Sequence, residues 1–366
     1  NGTVPTPNIN SLAQQGANFE TSYSGNATCA PSRAAIMTGR YQYRLRGAAE
    51  EPINSRARHS TTLGLPTDHP TLPSLLREAG YRTALIGKWH LGYPPTFGPL
   101  RSGYEEFFGP MAGGVDYFNH AANTGVHDLW SGEEQKEEEG YLTDLLSRRA
   151  AQYVRDRAAS GQKFFLSLHY TAPHWPWETR EDHALAQEVK DNLFHLHGGN
   201  IHTYHRMIHH MDEGIGWVVD ALKKTGQLDN TLIVFTSDNG GERFSDNWPL
   251  VGGKMDLTEG GIRVPWIAHW PEGIAKPGST TAQHCMTMDW SATLVDIGGG
   301  KAHVDYPFDG VSLKPLLANP EATFERPLYW RMNHRGQRAL RSGDWKYLRV
   351  DGNDYLFNVV ADARER

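Results

Sequence analysis

Short apolar runs alternate with long amphipathic stretches along this chain, and that alternation narrows the fold more than any other feature. Residues 231–236 form a continuous apolar strand, residues 81–87 read as a buried strand and residues 163–169 as another. Between them, residues 140–159 carry Leu142, Leu145, Leu146, Ala150 and Tyr153 at helical spacing. Residues 199–224 place Ile201, Tyr204, Ile208, Met211, Ile215, Val218, Val219 and Leu222 on one helical face, and Gly226 closes that run. Thr71 caps a helix through Leu75, Leu76 and Ala79 that Gly80 ends, and residues 6–15 form another, with Pro7 near its start and Gly16 at its end. Buried strands separated by helices predict an α/β fold, a mostly parallel sheet sandwiched by helices. Ligands gather at the carboxyl ends of such strands, and Lys88, His90, His174, Asp238 and Asn239 all fall just past predicted strand ends. Residues 41–68 read as loop, residues 94–130 as a Gly- and aromatic-rich lid or pocket wall, and residues 133–139 as a solvated acidic loop. After residue 309 the pattern changes. Segments 326–331, 337–341, 345–350 and 355–359 are short strands punctuated by Ser342-Gly343 and Asp351-Gly352, a small C-terminal antiparallel sheet.

The stretch from Cys29 to Arg40 places a reactive side chain at the mouth of a helix. Pro31 suits a first helical turn, Ala34, Ala35, Ile36 and Met37 continue it, and Gly39 stops it. Free N–H groups and the positive dipole end favour an anion beside Cys29, and Arg33 adds a planar fork of donors for a tetrahedral oxyanion. A Cys at a helix start is also often a small buried hydrophobe, and these features alone do not choose between the two readings.

The string Cys-x-Pro-Ser-Arg followed by Thr38-Gly39-Arg40 resembles the Cys-type sulfatases of the alkaline phosphatase-like superfamily. Further blocks resemble that family in the family's order: Thr6-Pro7-Asn8-Ile9-Asn10-Ser11-Leu12, Gly87-Lys88-Trp89-His90-Leu91-Gly92, Ala172-Pro173-His174-Trp175-Pro176, Ser237-Asp238-Asn239-Gly240-Gly241, and Gly253-Lys254 leading into Glu259-Gly260-Gly261-Ile262-Arg263-Val264-Pro265. The resemblance implies hydrolysis of a sulfate monoester on a carbohydrate, releasing sulfate. It implies that Cys29 is converted by a maturation enzyme to formylglycine, whose hydrate attacks sulfur in line. Arg33, Lys88, Lys254 and a divalent cation would hold the sulfate oxygens. His174 would protonate the departing alcohol, and His90 would take a proton from the remaining hydroxyl. Asp238 and Asn239, with residue 29, match metal ligands, and oxygen donors suit calcium ahead of magnesium. It further implies a sulfatase domain over residues 1–318, an antiparallel subdomain over residues 319–366, and a periplasmic or secreted location in preference to a cytoplasmic one. The family completes its metal site with an adjacent Asp pair at the end of a first strand. No such pair precedes Thr6. The expectation is therefore an apolar strand ending in two acids upstream of Asn1, and a sheet edge beside the strand leading to Asp238.

Composition sets bounds. With 39% hydrophobic and 21% charged residues the chain fits a globular protein, and no apolar run approaches the roughly 20 residues of a membrane span. The net charge of −6 does not draw in an anion, so local cations must, and no basic stripe fits nucleic acid. The two cysteines, Cys29 and Cys285, leave no disulfide framework if Cys29 is modified, and Cys285 reads as a packing residue. His202, His205, His209 and His210 share one helix, and His205 with His209 has metal-pair spacing, but no zinc motif accompanies them, so they read as polar-face or packing residues. Asp116, Tyr117, Asn119 and His120 could line a sugar subsite or belong to a structural aromatic loop. Asp238-Asn239-Gly240-Gly241 taken alone could be an ordinary turn. Two other functions stay open: a phosphonate monoester or phosphodiester hydrolase of the same superfamily, and a non-catalytic relative that binds sulfated glycans.

Overall fold

The structure, a computed structural model, describes residues 4–47, 51–189 and 198–366. The chain divides into two compact units, Asn1–Leu12 with Ile53–Thr231, and Ala13–Pro52 with Leu232–Arg366.

The first unit is built on a five-stranded sheet in the order Glu134–Gln135, Leu129–Ser131, Glu106–Pro110, Arg82–Gly87, Phe164–His169. The three strands from Glu106–Pro110 to Phe164–His169 are parallel, with Ala84 opposite both Glu106 and Leu166, and the two outer strands are antiparallel. Arg82–Gly87 is central and buried after its first residue, as a continuous apolar run requires. Thr71 caps helix Leu72–Glu78 through a reciprocal box with Ser74. Helices Leu142–Ala159 and Ile201–Lys224 pack against one another, and Leu142–Ala159 also packs against strands Arg82–Gly87 and Phe164–His169. The buried Asp212 carboxylate accepts from Asn8 N at 3.1 Å and Ile9 N at 2.8 Å, satisfying orphan donors at the start of helix Pro7–Gln15.

The second unit holds a mixed sheet in the order Ser279–Thr281, Ala17–Phe19, Trp266–His269, Ile233–Thr236. Ala17–Phe19 runs parallel to Ser279–Thr281 and antiparallel to Trp266–His269, which is in turn antiparallel to Ile233–Thr236. Its core gathers Phe19, Trp266, Trp290 and Leu313. The strand leading to Asp238 is the terminal strand of this sheet among the described residues. The expected parallel sheet is thus mixed in both units. Short strands of three to five residues at Ala17–Phe19, Glu106–Pro110, Trp266–His269 and Ser279–Thr281 were not visible as runs.

The C-terminal antiparallel sheet is present as Leu328–Arg331, Arg338–Ser342, Trp345–Val350 and Asn353–Asn358 in consecutive order. Leu328, Trp330, Ala339 and Leu348 from this sheet share one core with Tyr23, Ala27, Tyr41, Leu257, Ile262 and Met286. A fully buried Lys346 Nζ reaches Glu259 Oε1 at 3.0 Å and Glu365 Oε1 at 2.8 Å, tying the sheet to the Glu259-Gly260-Gly261 turn. Within residues 41–68 the chain forms short 3-10 turns at Gln42–Arg44 and Ser55–His59, and residues 48–50 lie outside the described set. Among the described residues no helix is long and apolar enough to cross a membrane.

Candidate active site

In the second unit Cys29 opens helix Cys29–Thr38, directly after an extended Thr28. The helix mouth is fixed by its own approach loop: Ser32 Oγ accepts from Asn26 N at 3.0 Å and donates to Asn26 O at 2.8 Å. Gly39, at φ 66°, closes the other end with its N–H on Ala35 O. Cys29 is buried, and its Sγ lies 3.4 Å from Asn239 Oδ1. One turn along, the Arg33 guanidinium meets Asp238 Oδ2 through Nε at 2.9 Å and Nη2 at 2.8 Å. Asp238 and Asn239 follow strand Ile233–Thr236, and Gly240 N donates to Gly261 O at 2.8 Å, anchoring that exit. Lys254 N donates to Gly241 O at 2.9 Å, and its neighbour Met255 N donates to Ala27 O at 3.0 Å. Lys254 Nζ pairs with Glu242 at 2.8 Å. Burial pulls the Lys254 pKa down, but interactions with neighbouring Cys29, Glu242 and Asp238 outweigh it and leave the pKa raised. The structure therefore brings Cys29, Arg33, Asp238, Asn239 and Lys254 together.

In the first unit the strand Arg82–Gly87 delivers Lys88 and His90, both buried. Lys88 N donates to His169 O at 2.8 Å and His90 N to Met111 O at 3.0 Å, so the segment threads between two neighbours of the sheet. His90 holds φ 60°, a strained position for a residue with a side chain. His90 Nε2 lies 3.0 Å from Ile53 O, and His174 Nδ1 lies 2.8 Å from Trp175 O. A carbonyl can only accept, so each of those ring nitrogens carries its proton in these contacts. His174 N bonds Thr171 O, and Tyr117 OH donates to His174 O at 2.9 Å.

The loop at residues 111–120 supports both rings. A Cβ built on Gly113 would lie 2.4 Å from His90 Cε1, and one on Gly114 would lie 3.0 Å from His174 Cε1. The imidazoles thus pack on bare backbone. Asp116, Tyr117 and His120 are buried within this loop. Asp116 Oδ1 accepts from Phe118 N and Asn119 N, and His120 Nε2 meets Gly140 O at 3.1 Å. Asn119 is half-buried and bonded to Gln187. Sequence reasoning passed over Glu178, which accepts from Tyr117 N at 3.1 Å and whose pKa is pushed up to about 8 by burial and by Asp116. It also passed over Asp128, whose Oδ2 accepts from Ala112 N at 2.6 Å and Oδ1 from Trp130 Nε1 at 2.9 Å. The Gly113-Gly114 pair was the only local signal of a close approach.

Among the described residues no group of three or more His, Cys, Asp or Glu side chains could hold an ion. His209 pairs with Pro5 O and Glu213, and His210 is buried with its pKa lowered by desolvation. Cys285 is buried in the Phe19–Trp290 core. For the implied divalent cation, Asp238 and Asn239 are oxygen donors of the right chemistry. The Asp238 carboxylate is engaged by Arg33, however, and a hard cation takes about six oxygens. Those residues fit as part of a cation site and do not make a whole one.

Comparison with known proteins places these features in context. A family model described as Sulfatase matches residues 1–300. The N-acetylgalactosamine-6-sulfatase of Mus musculus is 33% identical over 365 residues, covering 93% of this chain and 66% of the relative. Arylsulfatase J of the same organism is 31% identical over 325 residues, 85% of this chain and 51% of its own length. The chain therefore spans 66% of the first of these relatives and less of the second. The crystal structure of Ps i-CgsB in complex with k-i-k-neocarrahexaose superposes with a TM-score of 0.87 at 34% identity, covering 100% of this chain and 83% of that one.

Proposed function

Because the chain belongs to the sulfatase family, with its alkaline phosphatase-like fold, we propose that the protein hydrolyses a sulfate monoester on a carbohydrate and releases inorganic sulfate. The observation that carries this reading is the cationic, helix-capped setting of residue 29. Arg33 stands one turn away, Lys254 stays protonated in its company, and the free N–H groups of the helix start add positive potential. The overall charge of −6 does not draw in an anion, so the attraction must be local, from the helix start and from Arg33 and Lys254 when they turn from Asp238 and Glu242 to the substrate. The substrate class follows the sugar sulfatase relative and the neocarrahexaose bound by the superposed Ps i-CgsB.

Formylglycine at position 29 supplies a hydrated aldehyde, an oxygen nucleophile that a thiol cannot provide. Arg33 has its plane set by Asp238 and, with Lys254 and Lys88, balances charge on the sulfate oxygens. His174 donates its Nδ1 proton to Trp175 O, so it delivers a proton to the leaving alcohol through Nε2. His90, held by Ile53 O through Nε2, accepts a proton at Nδ1. Asp238, Asn239 and residue 29 are the contributions of this chain to a calcium site, with magnesium second.

The test is sulfate release from a panel of defined sulfated saccharides by protein produced with a formylglycine-generating enzyme. Expected are an aldehyde-bearing residue 29 in peptide mass spectra, turnover of at least one sulfated sugar, and none by Cys29→Ala. Full turnover with an entirely unmodified thiol would overturn the nucleophile, and faster turnover of phosphodiesters than of any sulfate ester would overturn the substrate class.

A further inference from the structure

Asp116 and Glu178 are two buried acids that the proposed chemistry does not use. Each is 1% exposed, and each has one oxygen accounted for by backbone donors. Asp116 Oδ1 accepts from Phe118 N at 2.8 Å and from Asn119 N at 2.5 Å, and Glu178 Oε2 accepts from Tyr117 N at 3.1 Å. The remaining oxygens, Asp116 Oδ2 and Glu178 Oε1, are buried and receive no hydrogen bond from the described residues while both acids are ionised. Glu178 Oε2 takes the N–H of Tyr117, the residue directly after Asp116, so the two acids stand beside each other. Two buried carboxylates facing one another without a donor would be strongly unfavourable, and one proton between them satisfies both.

We propose that Asp116 and Glu178 share a single proton, carried on Glu178 Oε1 and donated to Asp116 Oδ2, and that this bridge is a positioning element for His90 and His174. Two N–H groups serve the other oxygen of Asp116, and one serves that of Glu178. The bridge clamps residues 113–117 to residues 174–178. On one side Asp116 follows Gly114, whose backbone packs on His174, and Gly113, whose backbone packs on His90. On the other, Glu178 lies one turn past His174, whose carbonyl receives Tyr117 OH. Tyr141 OH fixes the Glu178 carbonyl at 2.9 Å from the adjacent helix. The other titratable groups around the pair do not supply the missing donor. Tyr117 and Tyr141 spend their hydroxyls on carbonyls, His120 is held by Gly140 O with its pKa lowered by burial, and Asp182 is turned to Thr179. Arg180 is occupied by Asp144 and Glu213.

Ionisation of Glu178, whose pKa is raised from 4.5 to about 8, would place two negative charges side by side and push the two loop segments apart. The sign for stability follows. A folded-state value above the unfolded one makes the bridge fully stabilising below about pH 4.5, and that contribution is lost as the pH rises towards 8.

The role rests on the sulfatase reading, whereas the bridge itself can be tested without turnover. In infrared spectra of the intact protein, a protonated-carboxyl band should be present at pH 7, disappear with a midpoint near pH 8, and be missing in Glu178→Gln. Its absence from the wild type at pH 7 overturns the bridge, whatever the enzyme hydrolyses. In Glu178→Gln the amide donates to Asp116 and cannot titrate. Turnover at pH 7 should stay within about twofold of wild type, while the wild-type fall of about tenfold per pH unit above 8 should shift to higher pH. An identical alkaline limb in both proteins, with the band confirmed, would overturn the positioning role. If the wild type releases no sulfate from any ester, the functional reading fails and the infrared titration still decides the bridge.

Discussion

The two sets of candidate catalytic residues are held in place by different physics. Around Cys29 the functional side chains hold one another: Arg33 grips Asp238, Lys254 grips Glu242, and the Cys29 thiol faces Asn239. Around His90 and His174 the rings are held by carbonyls and by a glycine-lined loop, and the acidic groups stand one layer further out, in Asp116 and Glu178. The first arrangement is electrostatic, so losing a member unbalances its partner. The second is steric and backbone-borne, so its geometry depends on residues that never touch a substrate.

The comparison predicts a ranking of effects. The largest belongs to His174→Ala, which should lower turnover of sugar sulfates by about 10²–10⁴, a loss typical of a missing general acid. Nitrophenyl sulfate, whose leaving group needs little protonation, should suffer far less. Equal losses on both substrates would make His174 a sulfate-positioning group and blur the distinction between the two sets. Next comes Arg33→Lys, which keeps the charge but not the two-nitrogen grip on Asp238. A loss of about 10–100-fold in kcat/KM, restored in part by a further Asp238→Asn substitution, would show that the mutual grip matters. Strict additivity of the two substitutions would break the electrostatic account. The smallest effect is expected for Tyr117→Phe, which strips one hydrogen bond from the His174 carbonyl. It should reduce stability by about 1 kcal/mol and turnover a few-fold, read by thermal melting and steady-state rates. No change in either would mean that the glycine contacts alone fix the ring.

Local physics made much of this legible. The helix at Cys29–Thr38 was visible because Pro31, the alanines and Gly39 act within a few residues of one another, and the same holds for the Thr71 cap and the long face of Ile201–Lys224. The carboxyl ends of Arg82–Gly87, Phe164–His169 and Ile233–Thr236 were also visible from their apolar character at strand length, although only Arg82–Gly87 is central and buried, and the other two end their sheets half-buried among the described residues. Those ends located Lys88, His90, His174, Asp238 and Asn239 in the sequence.

What the sequence could not state was decided by partners distant along the chain. Strands Ala17–Phe19 and Ser279–Thr281 are three residues each, too short to show a period, and exist because they pair with each other across the fold. Residues 111–120 look like a surface loop by composition, and only packing turns Asp116 and Tyr117 inward. Tyr117 meets Glu178 from 61 residues away, and a carboxylate reads as solvent-facing until another segment supplies its hydrogen bonds. The chain order of the motifs named the residues that the proposed chemistry uses. The environment that sets their protons is a property of burial, and burial is a sum over neighbours that no local window contains.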